Sequence, residues 1–194
     1  MLFEDPLFRR QNFTLLSTFE VNNLTMKISL VGYMGSGKSV LGKALAETLN
    51  LPFLDLDQLI EKQTGYTVAE TIFNKGELFF RKLERQTLNK VLEREQFVLA
   101  TGGGTPCYYD NMDQLNQNSL TVYLNMTVAQ LFERLKDHQQ ERPLIAHLKE
   151  DALKEFIAKH LFERQAFYQQ ATFVLPTQVA QVEARLQHLK NILT

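Results

Sequence analysis

The sequence predicts an α/β fold, in which a parallel β-sheet is covered by helices on both faces. Segments typical of strands alternate with segments typical of helices along most of the chain, as in successive βαβ units. The apolar stretch within residues 27–31 is typical of a central strand that is buried on both faces. A glycine-rich turn and a helix follow it directly. Ligands bind at the carboxyl ends of the strands in such sheets, so we expect the functional site around this turn.

The turn has the spacing of a phosphate-binding loop. Gly32 and Gly37 are separated by four residues, and Lys38 and Ser39 follow. Since glycine lacks a Cβ, the loop can fold tightly and direct backbone N–H groups toward one oxyanion, and the next helix adds its positive dipole end. Lys38 can then reach the β- and γ-phosphates, and the Ser39 hydroxyl can bind Mg²⁺. The candidate nucleotide-binding residues are Gly35, Ser36, Gly37, Lys38, Ser39 and Val40. The alternative is a glycine-rich turn beside a surface lysine.

Length and composition limit the class of protein. A chain of 194 residues with 44% hydrophobic and 22% charged residues is typical of one globular domain, with or without appendages. The net charge of −1 argues against a nucleic-acid surface as the main partner. No apolar run approaches the length of a membrane span, and the single Cys107 excludes an internal disulfide and fits a reducing compartment. We therefore expect a cytoplasmic protein that binds neither nucleic acid nor membranes.

Residues 1–25 contain scattered apolar side chains but show no helical or strand period. A signal peptide would need a longer apolar core and a small-residue cleavage site. We predict that 1–25 is an extension outside the core and that 26–194 forms the folded domain. Docking of the extension against a neighbouring subunit is the alternative.

Local patterns predict the remaining elements in order. The predicted strands are 27–31, 52–57, 96–100, 120–124 and 172–175. The predicted helices are 39–49, 67–74, 77–94, 108–114, 128–136, 148–169 and a final helix with apolar spacing from Val179 to Leu193. Capping boxes start two of them, at Thr67 with Glu70 and at Thr127 with Gln130. The polar segment 137–147 is predicted to be an exposed loop.

Two carboxylates and three glycines follow the second and third predicted strands. Asp55 and Asp57 are two residues apart, so they share a side if the strand continues there. An ATP-dependent enzyme needs acidic groups to support the metal and to orient the attacking hydroxyl. A solvated pair or a helix cap is the alternative. The run Gly102, Gly103 and Gly104 costs backbone entropy, which favours the close approach of a ligand or another backbone over a plain loop.

Four arginines are candidate anion ligands, because the guanidinium fork suits carboxylates and phosphates. Arg81 precedes Glu84 by three residues on a helix, so a surface ion pair is its alternative. Arg142 lies in the polar segment 137–147, where a mobile lid could bring it onto phosphates. The other two, each on a predicted helix, are Arg134 and Arg164. On residue type alone, each of the four is more commonly a surface residue.

Together, and in this order, these motifs resemble those of shikimate kinases. The matching residues are Gly32 to Ser39, Asp55-Leu56-Asp57, Gly76-Glu77 with Phe80-Arg81 and Glu84, Thr101-Gly102-Gly103-Gly104, Arg142-Pro143-Leu144, and Arg164 before Tyr168. The resemblance spans about residue 26 to the final helix. It implies a P-loop, nucleoside-monophosphate-kinase-like three-layer fold with a five-stranded parallel sheet of order 2-3-1-4-5. It also implies transfer of the ATP γ-phosphoryl group to the 3-hydroxyl of shikimate, giving shikimate 3-phosphate and ADP, in the route to chorismate and aromatic amino acids.

The resemblance also implies roles for individual residues. Asp57 would hold the shikimate hydroxyls and orient or deprotonate the attacking one. Arg81 and Arg164 would clamp the substrate carboxylate, beside backbone N–H groups of the triglycine turn, Gly102, Gly103 and Gly104. Asp55 and Ser39 would support Mg²⁺, and Lys38 and the lid residue Arg142 would close on the phosphates. Arg134 and Gln178 would flank adenine. We expect ATP and Mg²⁺ as cofactors, shikimate as the small-molecule substrate, and a monomer.

Two other functions stay open at this point. A related small-metabolite kinase, such as a gluconate kinase, would share the fold, although the pair Arg81 and Arg164 argues against it. A nucleotide-sensing module would bind ATP without transferring phosphate, although Asp57, Arg81 and Arg142 argue against that. Departures from the shikimate kinase pattern are the extension 1–25 and a polar, glutamine-rich lid.

Overall fold

The computed structural model describes residues 26–139, 144–177 and 181–193. In it, five parallel strands form one sheet with the order β2-β3-β1-β4-β5. The strands are β1 Lys27–Val31, β2 Phe53–Asp55, β3 Phe97–Ala100, β4 Leu120–Leu124 and β5 Phe173–Leu175. The helices are α1 Lys38–Leu49, α2 Leu56–Thr64, α3 Val68–Lys75, α4 Glu77–Leu92, α5 Asn111–Asn118, α6 Val128–Lys136, α7 Glu150–Tyr168 and α8 Val182–Leu193. The predicted fold class and strand order are confirmed.

Alternation along the central strands builds one apolar core on each face of the sheet. Ile28 and Leu30 of β1 face one core, which also contains Leu45 of α1 and Leu189 of α8. Val31 faces the other core. The second core contains buried side chains from α2, α4, α5, α6 and α7, among them Ile60, Leu88, Leu115, Leu131 and Ile157. Because both faces are covered, the carboxyl ends of the strands are the edge at which a ligand can reach the sheet.

The second strand is shorter than predicted, and the helix α2 that follows it was not predicted. The strand ends at Asp55, whose side chain accepts a hydrogen bond from the Gln58 backbone N–H at 3.3 Å and thereby caps α2. Asp57 therefore lies in the first turn of a helix and not on a strand. The predicted extent of this strand to Asp57 is wrong, so the condition for the two carboxylates to share a strand face is not met. Helix capping, the stated alternative, is what Asp55 does.

Two further segments differ from their predictions. After β3, a 3₁₀ turn occupies Thr105–Cys107, and α5 begins only at Asn111. In the segment 137–147, the described residue Ile145 is completely buried, so the prediction of an exposed loop is wrong there. Both predicted capping boxes, at Thr67 and Thr127, are present. Among the described residues, no helix is long and apolar enough to span a bilayer.

Candidate active site

The phosphate loop lies between β1 and α1, and glycine is needed at its turns. Gly35 and Gly37 adopt φ values of 77° and 91°, which side-chain-bearing residues rarely adopt. Lys38 is 8% exposed, and its ammonium group donates hydrogen bonds to the backbone carbonyls of Gly32, at 2.8 Å, and Tyr33, at 3.0 Å. The loop therefore places a nearly buried cation at the amino terminus of α1, where the helix dipole is also positive.

The two candidate metal ligands, Ser39 and Asp55, are in contact beside this loop. The Ser39 hydroxyl donates a hydrogen bond to Asp55 Oδ2 at 2.7 Å, so the first turn of α1 is tied to the end of β2. Hydroxyl and carboxylate oxygens suit Mg²⁺, which takes one or two protein ligands and completes its shell with phosphate oxygens and water. In the described part of the chain, no group of three or more His, Cys, Asp or Glu side chains is arranged to hold a metal ion.

Asp57 lines the same cavity as the phosphate loop, and the pKa of its carboxyl group is raised. Burial above all, and also the charges of Asp55 and Glu84, raise the pKa of its carboxyl group to about 6, while the charge of Lys38 opposes the shift. A carboxyl group with a pKa near neutrality can accept a proton at physiological pH more readily than an ordinary aspartate. Asp57 is therefore a candidate general base.

Each glycine of the triglycine turn leaves room for a different neighbour. A Cβ at Gly102 would lie 2.8 Å from Asp57 Oδ1, and one at Gly104 would lie 2.9 Å from Arg81 Nη2. A Cβ at Gly103 would lie 3.2 Å from the backbone nitrogen of Met34 in the phosphate loop. The turn thus contacts the candidate base, a candidate carboxylate ligand and the phosphate loop, and this explains why it contains no side chains.

Arg81 is fixed from several directions on α4. Its Nη1 donates to Glu84 at 2.9 Å, and its Nη2 and Nε donate to Glu77 at 3.2 and 3.3 Å. The guanidinium carbon lies 3.9 Å from the ring centroid of Tyr108. Although burial acts to lower the pKa of Arg81, Glu84 raises it, so the group stays charged. Arg81 therefore forms the ion pair with Glu84 that was its stated alternative, although this pair is buried and not on the surface. It also lies against Gly104 of the triglycine turn.

Arg164 on α7 lies near Tyr33 of the phosphate loop. Its guanidinium carbon lies 5.9 Å from the Tyr33 ring centroid. Burial raises the pKa of the Cys107 thiol to about 11, and both Arg164 and Arg81 act to lower it, so the two guanidinium groups lie around the same residue. One turn further along α7, the Tyr168 hydroxyl donates to the Gly103 carbonyl at 2.5 Å. Tyr168 thus links α7 to the triglycine turn, which accounts for the spacing of Arg164 and Tyr168.

The cavity above the sheet has a volume of about 670 Å³. Its lining includes Lys38, Ser39, Asp55, Asp57, Gly103 and Arg134, and also Gly35, Gly37 and Val40. The Arg134 guanidinium lies 3.4 Å from the Gly35 carbonyl and 3.2 Å from the Ser36 carbonyl. Ser36, which belongs to the phosphate loop, is itself buried. Arg142 and Gln178, two further predicted site residues, lie outside the described residues.

Two residues around this cavity were missed as site residues by sequence reasoning. Glu84 was named as a possible surface partner of Arg81 and as part of a matching motif, but without a role; it is 1% exposed and accepts a hydrogen bond from Thr105 at 2.6 Å. Arg185 on α8 was not singled out, yet it is 2% exposed and donates to the Ser36 carbonyl at 2.8 Å. For Arg185, the available signal was a charged residue at an apolar position of a helix.

Known proteins are similar to this chain in both sequence and fold. The shikimate kinase family profile matches residues 34–194. A shikimate kinase from Bacteroides thetaiotaomicron is 43% identical over 172 residues, which cover 87% of this chain and 98% of that protein. The crystal structure of shikimate kinase from that organism superimposes with a TM-score of 0.83 over 87% of this chain and 98% of the other. Shikimate kinase from Acinetobacter baumannii, solved in complex with shikimate, is 31% identical, with a TM-score of 0.79 over 91% of this chain and 96% of the other.

These matches cover the phosphate loop from Met34 onward, the triglycine turn and α7, so they include nearly all of the cavity. The chain belongs to the shikimate kinase family.

Proposed function

We propose that this protein is an ATP-dependent kinase that transfers the γ-phosphoryl group of ATP to the 3-hydroxyl of shikimate. The products are shikimate 3-phosphate and ADP, in the route to chorismate and aromatic amino acids. The observation that carries the proposal is the placement of Asp57, Arg81 and the phosphate loop on one turn of three glycines. Family membership and the shikimate complex of the Acinetobacter baumannii relative support shikimate as the acceptor.

The proposed substrate site uses one acid and two guanidinium groups. Arg81 and Arg164 bind the shikimate carboxylate, since guanidinium groups bind carboxylates in a planar, charge-assisted geometry. Glu84 keeps Arg81 in place through its 2.9 Å ion pair, while the more exposed Glu77 gives up its place to the substrate. Backbone N–H groups of the triglycine turn complete the pocket. A small anionic polyol is thereby held with a hydroxyl directed at Asp57.

The proposed reaction is an in-line phosphoryl transfer. The 3-hydroxyl oxygen forms a bond to the γ-phosphorus, the bond from that phosphorus to the β–γ bridging oxygen breaks, and ADP leaves. Asp57 accepts the hydroxyl proton, which a pKa of about 6 permits near neutral pH. Lys38 and, from the lid around 137–147, Arg142 stabilise charge on the phosphates. Closure of that lid excludes water that would otherwise hydrolyse ATP.

We also propose Mg²⁺ as a cofactor, held by Ser39 and, through water, by Asp55. When bound, Mg²⁺ neutralises charge on the β- and γ-phosphate oxygens. The 2.7 Å contact between the two side chains supports this assignment, because it brings two hard oxygen ligands to the start of α1. Arg134 and Gln178 remain our proposed neighbours of adenine, and Gly35, Ser36, Gly37 and Val40 of the nucleotide phosphates.

The remaining expectations concern cellular context. We propose that the protein acts as a monomer in the cytoplasm, without nucleic acid or membrane partners, and that 1–25 is not part of the catalytic domain 26–194. The near-neutral net charge of −1 supports the absence of a nucleic-acid partner.

A substrate panel tests the proposed function. We expect ADP formation from Mg²⁺ and ATP to depend on shikimate, and to stay at the ATP-only background with gluconate or with quinate, which keeps the carboxylate but changes the ring. Shikimate-independent ADP formation, or preference for gluconate, would overturn the assignment. Tight ATP binding with no turnover of any acceptor would favour a nucleotide sensor instead.

A further inference from the structure

Arg185 is a buried cation directly behind the phosphate loop. It lies on α8, is 2% exposed, and its Nη1 donates to the Ser36 carbonyl at 2.8 Å. Its Nη2 lies 3.5 Å from the Asn125 carbonyl, which follows β4. Arg185 therefore connects the final helix, the end of a central strand and the loop that the proposed function assigns to nucleotide phosphates.

Fold stability alone does not explain why the Arg185 guanidinium is buried at this position. Burial above all, and also the nearby charge of Arg134, lower the pKa of Arg185 to about 10, so the fold opposes the charged form. Burying a charged group costs free energy, which the hydrogen bonds of Arg185 to two backbone carbonyls must offset. A guanidinium group whose burial disfavours its charged form is more readily explained by a role in ligand binding than by a role in fold stability.

The contact geometry indicates what that role is. Arg185 and Arg134 both donate to the carbonyl of Ser36, at 2.8 and 3.2 Å. In a trans peptide the C=O and the N–H point in opposite directions, so cations on the Ser36 carbonyl leave the Gly37 N–H directed away from them. Charged donors polarise that peptide and make its N–H a stronger donor to an anion.

We propose that Arg185 is a positioning residue for the nucleotide phosphates, which holds the Ser36–Gly37 peptide in place and strengthens its N–H as an anion donor. This inference rests on the proposed function, since it requires that the loop binds a nucleotide. Its charge acts through the loop and does not contact the substrate. It therefore differs from Lys38, which can reach the phosphates directly.

Two substitutions at this position separate charge from packing. Arg185→Met keeps length and apolar volume but removes the charge and the donors, whereas Arg185→Lys keeps a charge and a donor. Leu189→Ala is the matched control, because Leu189 is 1% exposed on the same helix and packs in the core under α1. The full chain is used in each case, with the Kd values for ADP and shikimate measured by calorimetry and the Tm measured by thermal unfolding.

We expect Arg185→Met to weaken ADP binding about tenfold, as for loss of a charge-assisted hydrogen bond. Shikimate binding should stay within about twofold, and Tm should not fall. Arg185→Lys should retain ADP affinity within about threefold. Leu189→Ala should lower Tm through the cavity it leaves, with ADP affinity unchanged.

The outcomes distinguish this inference from the proposed function. If the unsubstituted protein does not bind ADP, the proposed function fails. If it binds ADP and Arg185→Met binds ADP equally well, the inference fails and the function stands. Should Arg185→Met not fold, Arg185→Gln keeps a donor without the charge: weaker ADP binding than Arg185→Lys supports the inference, and equal binding overturns it.

Discussion

Arg81 packs directly against Gly104: a Cβ at that glycine would lie 2.9 Å from Nη2 and 3.0 Å from Nη1 of the guanidinium. The overlap involves the end of a flexible side chain and not backbone. An added methyl group would therefore displace Arg81 at small cost to the fold, and the displaced guanidinium would lose its alignment with a bound carboxylate.

Gly104→Ala is expected to raise the KM for shikimate about tenfold, because small displacements of a binding group reduce affinity strongly. The free energy of unfolding should change by less than about 1 kcal/mol. Gly65→Ala is the matched control, since Gly65 has a φ of 75° with nothing within 4 Å of an added Cβ. It should lower stability by about 1 kcal/mol and leave the kinetics unchanged. An unaltered KM in Gly104→Ala would show that Arg81 does not hold the substrate.

Asp57 is predicted to control the pH dependence of turnover. Its pKa of about 6 predicts that kcat/KM falls about tenfold per pH unit below pH 6, as the base becomes protonated. Asp57→Asn should lower kcat by roughly 10²- to 10⁴-fold and remove this acidic limb from the residual rate. Steady-state kinetics between pH 5 and 8 measure both. Survival of the limb in the Asn variant would assign the titration to another group.

The raised pKa of Asp57 also predicts that the difference in stability between the unsubstituted protein and Asp57→Asn depends on pH. Because its folded-state pKa is raised from 3.8 to about 6, its contribution to stability is complete below pH 3.8 and is lost as pH rises through 6. Relative to Asp57→Asn, which does not titrate, the unsubstituted protein should lose about 2 kcal/mol of unfolding free energy between pH 4.5 and 7.5. Urea unfolding at the two pH values measures this. A difference that is constant with pH would contradict the raised pKa.

Arg164 and Lys38 are expected to affect different kinetic parameters. Arg164→Ala should raise the KM for shikimate roughly 10- to 100-fold through loss of a charge-assisted bond to the carboxylate, with the KM for ATP nearly unchanged. Lys38→Met should lower kcat by roughly 10²- to 10³-fold, because it acts on charge that develops during transfer. Interchange of the two patterns would mean that the pockets are assigned wrongly.

Deletion of residues 1–25 is expected to leave kcat, both KM values and Tm unchanged. All five strands and both apolar cores are formed by described residues from 26 onward. Matched preparations of the full and shortened chains, compared by activity assay and thermal unfolding, test this. Loss of folding on truncation would place the extension within the core.

The local chemistry of several elements was sufficient to predict them. The phosphate loop needs glycine at fixed spacing, and capping boxes mark the starts of α3 and α6. The helix α2 was missed because Asp55 can end a strand or cap a helix, and only the tertiary structure decides between the two. The strand order came from the resemblance to shikimate kinases, since no local pattern specifies which parallel strands are neighbours.

Site residues to which a motif assigns a role could be predicted from the sequence. Residues that are distinguished mainly by their burial were harder to predict. Asp57 and Arg81 were expected from the motifs, but their shared contact with the triglycine turn required coordinates. Glu84 and Arg185 are charged residues on helices, and such residues are usually exposed. Their burial depends on packing between elements that are far apart in sequence, as in the contact between Arg185 and Ser36.

A crystal structure of the protein with shikimate, ADP and Mg²⁺ would test the proposed substrate site. We expect the shikimate carboxylate within hydrogen-bonding distance of Arg81 and Arg164, and the 3-hydroxyl hydrogen-bonded to Asp57 and facing the nucleotide on the phosphate loop. Shikimate bound elsewhere, or with its carboxylate remote from both arginines, would contradict it.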